Sequence, residues 1–335
     1  MCLWSARVLS EREALAIWYD GIPPSRALRA WSAIYGVLTG LRRWLYAVHI
    51  LRVRRARVPV LVVGNLTAGG TGKTPLVIAL VEALRVRGWK PGVISRGHGG
   101  STADVRIVEA NSDPAVVGDE ARLIFDATQS PVCVGRDRVA AARRLADGTD
   151  VNVIVSDDGL QHYRLARDVE ICVIDGVRRF GNGRLLPAGP LREPLSRLDG
   201  IALRVCNGGI PQAGETLMML AGETLVALGD ARQRQALDTL RGQRVHAVAG
   251  IGNPARFFAR LRLAGLEVIE HAFGDHHRFA ARDIAFDDAL PVVMTAKDAV
   301  KCRAFACDRD WYLPVRAELP AEFFDAVAAR LRQPA

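Results

Sequence analysis

The chain lacks the cysteine patterns of a disulfide scaffold or a zinc module. Its six cysteines (Cys2, Cys133, Cys172, Cys206, Cys302 and Cys307) include no Cys-x-x-Cys pair. Cys302 and Cys307 have no neighbouring His or Cys to complete a metal site. Cys133, Cys172 and Cys206 lie in or beside apolar runs that read as buried strands, so reduced structural cysteines in a cytoplasmic protein are expected. A secretory signal is also missing: Glu11, Glu13 and Asp20 interrupt the start, and no cleavage pattern follows an early apolar core. No apolar run is long enough to cross a bilayer. The candidate, Ala30–Leu41, has 12 residues where a spanning helix needs about 20. There is no internal repeat and no low-complexity tract.

What is present bounds the answer from the other side. With 335 residues, 50% of them hydrophobic, the chain can bury a sizeable core and is expected to form two domains. The net charge of +9 is unevenly placed: residues 1–57 hold ten arginines, from Arg7 to Arg57, against three acidic residues. That asymmetry points to an anionic surface, lipid or nucleic acid. Trp31, Tyr35, Trp44 and Tyr46 stand among Arg26, Arg29, Arg42 and Arg43, the pattern of a helix lying in a headgroup region. A helix packed on its own domain is the plainer reading. Nucleic-acid binding is disfavoured, since no recognition fold or aromatic-basic platform follows.

The most informative stretch is Val58–Pro75. Val58–Val63 is apolar and mostly β-branched, as in a strand covered on both faces. Thr67-Ala68-Gly69-Gly70-Thr71-Gly72-Lys73-Thr74 then reads as a phosphate-binding loop. Its glycines let backbone N–H groups approach a polyphosphate, and a helix starting near Lys73 turns its positive end to the same anion. Lys73 would reach the β- and γ-phosphates and Thr74 would ligate Mg²⁺. The Walker-A pattern is met from Gly72 onward, but Thr67 stands where its first glycine belongs, so an ordinary strand–turn–helix is the competing reading.

Beyond this loop, strands and helices alternate. Strands are expected at 91–95, near 105–109, at 131–134, 151–156 and 169–174, with helices over 73–87, after Gly118 and over 136–147. A second α/β pattern follows from about 205: strands at 244–249, 266–273, 291–295 and 311–315, and helices over 254–264 and 320–332. The last helix is expected to pack back on the first domain. This alternation predicts an α/β fold of the P-loop NTPase type, with a mostly parallel sheet, a second, smaller α/β domain and an N-terminal interfacial helix. The expected organisation is 1–57 interfacial segment, 58–204 P-loop core, 205–316 second domain and 317–335 C-terminal helix.

Acidic residues fall at expected carboxyl ends of strands, where open α/β sheets gather ligands. Asp157-Asp158 stands as a Walker-B pair would, although two acids after a strand also serve as a turn or helix cap. Asp119-Glu120 after Gly118 is a candidate acidic pair, and a helix N-terminus, where acids are favoured, is the competing reading. Asp275-His276-His277 sits in a loop of the second domain, where a histidine could orient a catalytic carboxylate or simply be exposed. Residues 180–198 form a long Gly- and Pro-rich loop of the functional kind.

Taken together, the motifs resemble the tetraacyldisaccharide 4′-kinase (lipid A 4′-kinase) family. The resemblance rests on Val63–Pro75, Ser95-Arg96-Gly97, Gly118-Asp119-Glu120, Asp157–His162, Leu186–Pro194, Phe273–His277 and Thr295–Lys301, in the family's order. The family's loop also lacks the first Walker glycine. Ala296 departs from it, standing where Glu is common, and leaves Lys297-Asp298 intact.

The resemblance implies an ATP- and Mg²⁺-dependent kinase at the cytoplasmic face of the inner membrane. It would phosphorylate the 4′-hydroxyl of a tetraacylated glucosamine disaccharide 1-phosphate held in the membrane. No nucleic acid and no obligate protein partner is expected. Carried over by position, Asp119 is the general base, paired with His276. Glu120 and Asp158 lie around the metal, Asp157 supports that acidic site, and Lys73 and Thr74 keep their loop roles. Arg192 and Glu193 lie near the reacting groups, and Arg96, Gln161 and His162 line the cleft. A substrate that stays in the membrane gives the basic, aromatic N-terminal helix its reason. The alternatives are another P-loop enzyme with a deviant loop, such as a nucleotide-dependent ligase or GTPase metallochaperone, and a membrane- or nucleic-acid-binding ATP switch that needs no base.

Overall fold

The computed structural model describes residues 9–102 and 104–332; Cys2 and Arg7 lie outside them. In chain order the elements begin with α1 (Glu11–Tyr19), α2 (Arg26–Ala47), β1 (Val60–Gly64), α3 (Lys73–Val86), β2 (Pro91–Ser95), β3 (Arg106–Ile107), α4 (Pro114–Val117) and α5 (Asp119–Thr128). They continue through β4 (Val132–Val134), α6 (Arg138–Gly148), β5 (Val153–Asp157), β6 (Val169–Asp175), β7 (Leu203–Asn207), β8 (Glu215–Ala221), β9 (Thr224–Ala227) and β10 (Arg234–Ala236). The last are β11 (Arg244–Ala249), α7 (Pro254–Leu263), β12 (Glu267–Ala272), β13 (Val292–Thr295), α8 (Ala296–Cys302), β14 (Asp310–Leu313), β15 (Arg316–Glu318) and α9 (Ala321–Arg332). The expected α/β architecture with a large, mostly parallel sheet is what the chain adopts. The chain divides into two compact units, 1–73 with 158–218 and 319–335, and 74–157 with 219–318.

In the first unit, β1, β6 and β7 pair in parallel, Leu61 opposite Val169 and Ile171 opposite Leu203. Every residue of β1 is buried, which is why an unbroken Val-Leu-Val-Val run is stable there. Helix α9 packs against β6 in the same unit and buries Phe323, Val327, Ala328 and Leu331. Helix α2, 22 residues long, starts four residues before the 12-residue apolar stretch that marks it in the sequence and ends six residues after it. Ser25 accepts a hydrogen bond from the Leu28 N–H and fixes its start, and the flanking arginines are good helix formers. One face of α2 is tied down: Ser32 Oγ donates to the Leu185 carbonyl at 2.8 Å and Tyr35 Oη to the Arg192 carbonyl at 3.0 Å. The other face leaves Trp31, Ile34, Val37, Leu38, Leu41 and Trp44 exposed.

In the second unit, β5, β2 and β4 are parallel neighbours, with β3 antiparallel at the end. A separate six-stranded sheet has the order β10-β9-β14-β13-β11-β12, in which β14, β13, β11 and β12 are parallel. The chain leaves β11 to one side for β12 and returns to the other side for β13. That reversal opens a crevice at the carboxyl ends of these strands. The loop after β12, carrying Asp275 and His276, and helix α8, directly after β13, start from those ends. Sequence patterns did not reveal β8, β10 and β15: β10 and β15 are largely exposed, β8 is partly so, and β15 meets its partner β8 only across a long stretch of chain.

Candidate active site

The phosphate loop of the first unit is organised around Asn65, a fully buried residue next to the end of β1. Its side-chain amide donates to the Thr67 carbonyl at 2.8 Å and its Oδ1 accepts from Lys73 Nζ at 3.0 Å. Gly69 (φ +103°) and Gly72 (φ +86°) adopt backbone conformations that L side chains rarely take. A Cβ on Gly72 would lie 2.2 Å from Asn207 Nδ2, which donates to the Thr71 carbonyl at 2.9 Å. The Thr71 hydroxyl is buried without a hydrogen-bond partner among the described residues. A buried hydroxyl, a lysine and permissive glycines on one turn fit a polyphosphate.

The Gly- and Pro-rich loop braces this turn through its backbone. Ala68 N–H donates to the Pro190 carbonyl at 2.7 Å and Arg192 N–H to that of Leu66 at 2.6 Å. The Arg192 guanidinium reaches both oxygens of Asp158 at 3.0 and 3.1 Å, and Lys73 Nζ lies 3.4 Å from the same carboxylate. Asp158 itself sits at φ +48°. Gln161 donates to the Asn65 carbonyl at 3.1 Å and to Glu193 at 3.3 Å, with Glu193 almost wholly buried. His162 offers its carbonyl to Arg167 at 2.6 Å.

The second unit holds a cluster built on Asp119. The Gly118 backbone (φ +93°) is pressed against the loop after β2: a Cβ there would lie 2.7 Å from the His98 carbonyl. This close approach sets Asp119 at the start of α5. His276, 157 positions along the chain, places Nδ1 3.1 Å from both Asp119 oxygens. Lys297 Nζ donates to Glu120 and to Asp275, both at 3.0 Å, and lies 3.4 Å from His276 Nε2. One turn further along α8, Lys301 Nζ is 2.8 Å from Asp298 and 3.7 Å from Asp119. Asp298 is fully buried and accepts from Gly250 N–H and the Thr295 hydroxyl. Asp157 is also buried; its carboxylate accepts from Ser95 Oγ at 3.2 Å and its carbonyl from Arg138. Arg96 is exposed, and Thr74 lies in the first turn of α3.

These contacts fix the protonation states. Burial alone would raise the Asp119 carboxyl, but the His276 hydrogen bond and the charges of Lys297 and Lys301 hold it down at about 2. Burial opposes charge on His276, yet the Asp119 carboxylate outweighs it and raises the imidazole above its ordinary value. Lys297 is raised despite burial by Glu120, Asp119 and Asp275. His98, whose ring meets that of His276 at a centroid distance of 4.5 Å, is lowered by burial and by that neighbour. A cavity of about 480 Å³ opens on Asp119 and His276, walled by Pro114, Phe279 and Val300 and edged by Arg122 and Arg278.

The sequence model of LpxK, tetraacyldisaccharide-1-P 4′-kinase, matches residues 24–332. The chain belongs to the tetraacyldisaccharide 4′-kinase family. Among its relatives, the tetraacyldisaccharide 4′-kinase of Stenotrophomonas maltophilia is 52% identical over 326 residues, covering 94% of this chain and 95% of that one. The enzyme of the same name from Nitrosococcus oceani is 49% identical, covering 96% and 95%. The crystal structure of LpxK from Aquifex aeolicus in complex with ATP superposes with a TM-score of 0.76 at 25% identity, over 91% of this chain and 98% of that one.

In this tetraacyldisaccharide 4′-kinase family member Asn65, Tyr163, Lys297 and Lys301 join these contacts without standing out in the sequence as site residues. A signal for the two lysines was present. The chain has only four lysines, Lys73, Lys90, Lys297 and Lys301, among 45 basic residues, and three of the four lie in these clusters.

Proposed function

We propose that this chain transfers the γ-phosphoryl group of ATP to the 4′-hydroxyl of a tetraacylated glucosamine disaccharide 1-phosphate, with Asp119 as the general base. The observation that carries the site reading is the buried Asp119–His276 contact. A carboxylate kept ionised beside an imidazole can take the proton of a sugar hydroxyl and share it with the ring. A nucleotide switch needs no such pair. Lys73, the Thr71 hydroxyl and the loop backbone bind the phosphates, and Arg192 holds Asp158 toward Lys73. Lys297 and Lys301 keep the base ionised and fixed.

Mg²⁺, when bound with the nucleotide, neutralises charge on the phosphate oxygens. Among the described residues no three His, Cys, Asp or Glu side chains are grouped to hold a metal ion by themselves. A nucleotide-bound Mg²⁺ takes only one or two protein oxygens, and Thr74, Glu120, Asp157 and Asp158 are hard oxygen donors of that kind. Glu120 and Asp158 already carry ion pairs, so turning to a metal exchanges one cation for another.

Among the described residues no helix is long and apolar enough to cross a membrane. The exposed stripe of α2, with Arg42 beside it, supports contact with the surface of the inner membrane on its cytoplasmic face, where an acylated acceptor resides. The test is transfer of labelled γ-phosphate from MgATP in mixed detergent micelles. Tetraacyldisaccharide 1-phosphate should be labelled, and its deacylated analogue should not. Hydrolysis to free phosphate without transfer would instead support the ATP-switch reading.

A further inference from the structure

We infer that Tyr163 is a positioning residue for the phosphate loop, and that helix α2 bears on Lys73 through it. This rests on Lys73 being the nucleotide ligand proposed above. The route is a chain of direct contacts within one compact unit. Tyr46, near the end of α2, stacks on Tyr163 with ring centroids 5.8 Å apart and planes 30° from parallel. The Tyr163 hydroxyl accepts from Arg197 Nε at 3.3 Å and donates its one proton to Glu193 Oε1. The other oxygen of Glu193 accepts from Gln161, whose amide also donates to the Asn65 carbonyl. Asn65 in turn holds both the Thr67 carbonyl and the Lys73 ammonium.

Each link has a physical reason to transmit. Glu193 is 3% exposed, and a buried carboxylate must keep its donors. Burial and the neighbouring Glu193 push the Tyr163 hydroxyl up to about 12, so it remains a donor across the working range. Without that hydroxyl, Glu193 Oε1 loses a donor. The Gln161 amide, the other donor to Glu193, is then drawn fully to Glu193 and away from Asn65. A second line from the same helix ends at the same ammonium: Tyr35 Oη bonds the Arg192 carbonyl, and Arg192 pairs with Asp158, 3.4 Å from Lys73. Both anchors of Lys73 therefore lead back to α2, at Tyr46 and at Tyr35. What α2 contacts and how firmly the loop holds a nucleotide are linked quantities.

The experiment compares the full-length wild type with Tyr163→Phe, Gln161→Leu and the double variant in detergent solution. MgATP affinity is read by calorimetry without acceptor, so a failure of transfer chemistry leaves this readout intact. Tyr163→Phe keeps the ring and removes only the hydroxyl. It should weaken MgATP about tenfold, the scale of one hydrogen bond to a charged group, while the KM for acceptor stays within twofold. In the Gln161→Leu background the same change should cost less than twofold, because the route runs through Gln161. Unchanged affinity in Tyr163→Phe, or effects that multiply independently in the double variant, would overturn the assignment. Should Tyr163→Phe fail to accumulate as folded protein, Tyr46→Ala replaces it. At least a threefold loss of MgATP affinity is then expected, and none would refute the link to α2.

Discussion

Replacing Asp119 by Asn tests the base without removing the group that fills its place. The variant is expected to fold. Lys301 keeps Asp298 at 2.8 Å, and Lys297 keeps Glu120 and Asp275 at 3.0 Å, so neither buried cation is left alone. The stability at stake follows from the carboxyl itself. Its depression from 3.8 to about 2 is worth about 2 kcal/mol of folding free energy at neutral pH. The side chain is 5% exposed, so solvent screening removes little of it. For a chain of this size that loss corresponds to a fall in Tm of about 3 °C. The carboxylate's contribution is present above pH 4 and is lost as pH falls through about 2, so wild type and variant should converge in stability in acid.

The catalytic loss should be much larger than the loss of stability. Removing a positioned base costs about 10²–10⁴ in rate, or about 3–5 kcal/mol of barrier. The contacts of Asn65, Thr71 and Lys73 do not involve Asp119, so the Kd for MgATP should stay within about twofold. The assay is single-turnover transfer to the tetraacylated acceptor, alongside calorimetric MgATP binding and a thermal melt. Transfer retained within tenfold, with binding intact, would refute Asp119 as the base. It would leave the carboxylate as a helix N-terminal acid that happens to meet a histidine.

Further outcomes follow from other parts of the site. Because His276 is raised while Asp119 stays ionised, activity should rise with pH through the imidazole's titration, above its ordinary 6.5; in His276→Asn that acid limb should move down toward the carboxylate range. The same His276 contact stabilises the fold below pH 6.5 and is lost as pH rises through the raised value, which melts at pH 6 and pH 9 against His276→Asn will detect. Gly72→Ala places a Cβ 2.2 Å from Asn207 at φ +86°, and should cost about 1–3 kcal/mol of stability and most MgATP affinity; native affinity would contradict the loop geometry. Leu38→Asp, at a site 60% exposed, should leave Tm unchanged but weaken binding to anionic vesicles about tenfold, measured by co-sedimentation.

What the sequence made legible was local. The phosphate loop could be read from consecutive residues, because glycines, Lys73 and Thr74 need no distant partner to announce a polyphosphate. The buried strands announced themselves by unbroken Val, Ile and Leu. The Asp119–His276 pair was different. The residues alone left Asp119 open between a site acid and a helix N-terminal acid, and His276 between an orienting histidine and a surface one; the family resemblance paired the two. The physical reason is distance along the chain: the two meet because Gly118 presses against the His98 carbonyl while β12 delivers the histidine loop from the other sheet. Asn65 stands inside a stretch that carries the resemblance but has no role legible there, and Tyr163 carried no signal: an asparagine after a strand and a tyrosine after a histidine are ordinary until their partners are known.

Lys297 and Lys301 sharpen the point, because here residue choice carries information that spacing does not. A chain that uses arginine for 41 of its 45 basic residues has no general preference for lysine on its surface. At the base, the two cations are one helical turn apart on α8 and must fit among Asp119, Glu120, Asp275 and Asp298. A compact ammonium places a point charge with three rotatable donors there. A guanidinium is larger and planar, and set where the ammonium lies 3.4 Å from His276 Nε2 it would crowd the imidazole. The same reasoning applies at Lys73, wedged between Asn65 Oδ1 at 3.0 Å and Asp158 at 3.4 Å. Lys297→Arg should therefore keep the charge that holds Asp119 ionised and yet displace His276, lowering transfer at least tenfold with MgATP affinity unchanged. Wild-type transfer by Lys297→Arg would show that only charge matters at this position, and that lysine's scarcity elsewhere in the chain is a matter of composition alone.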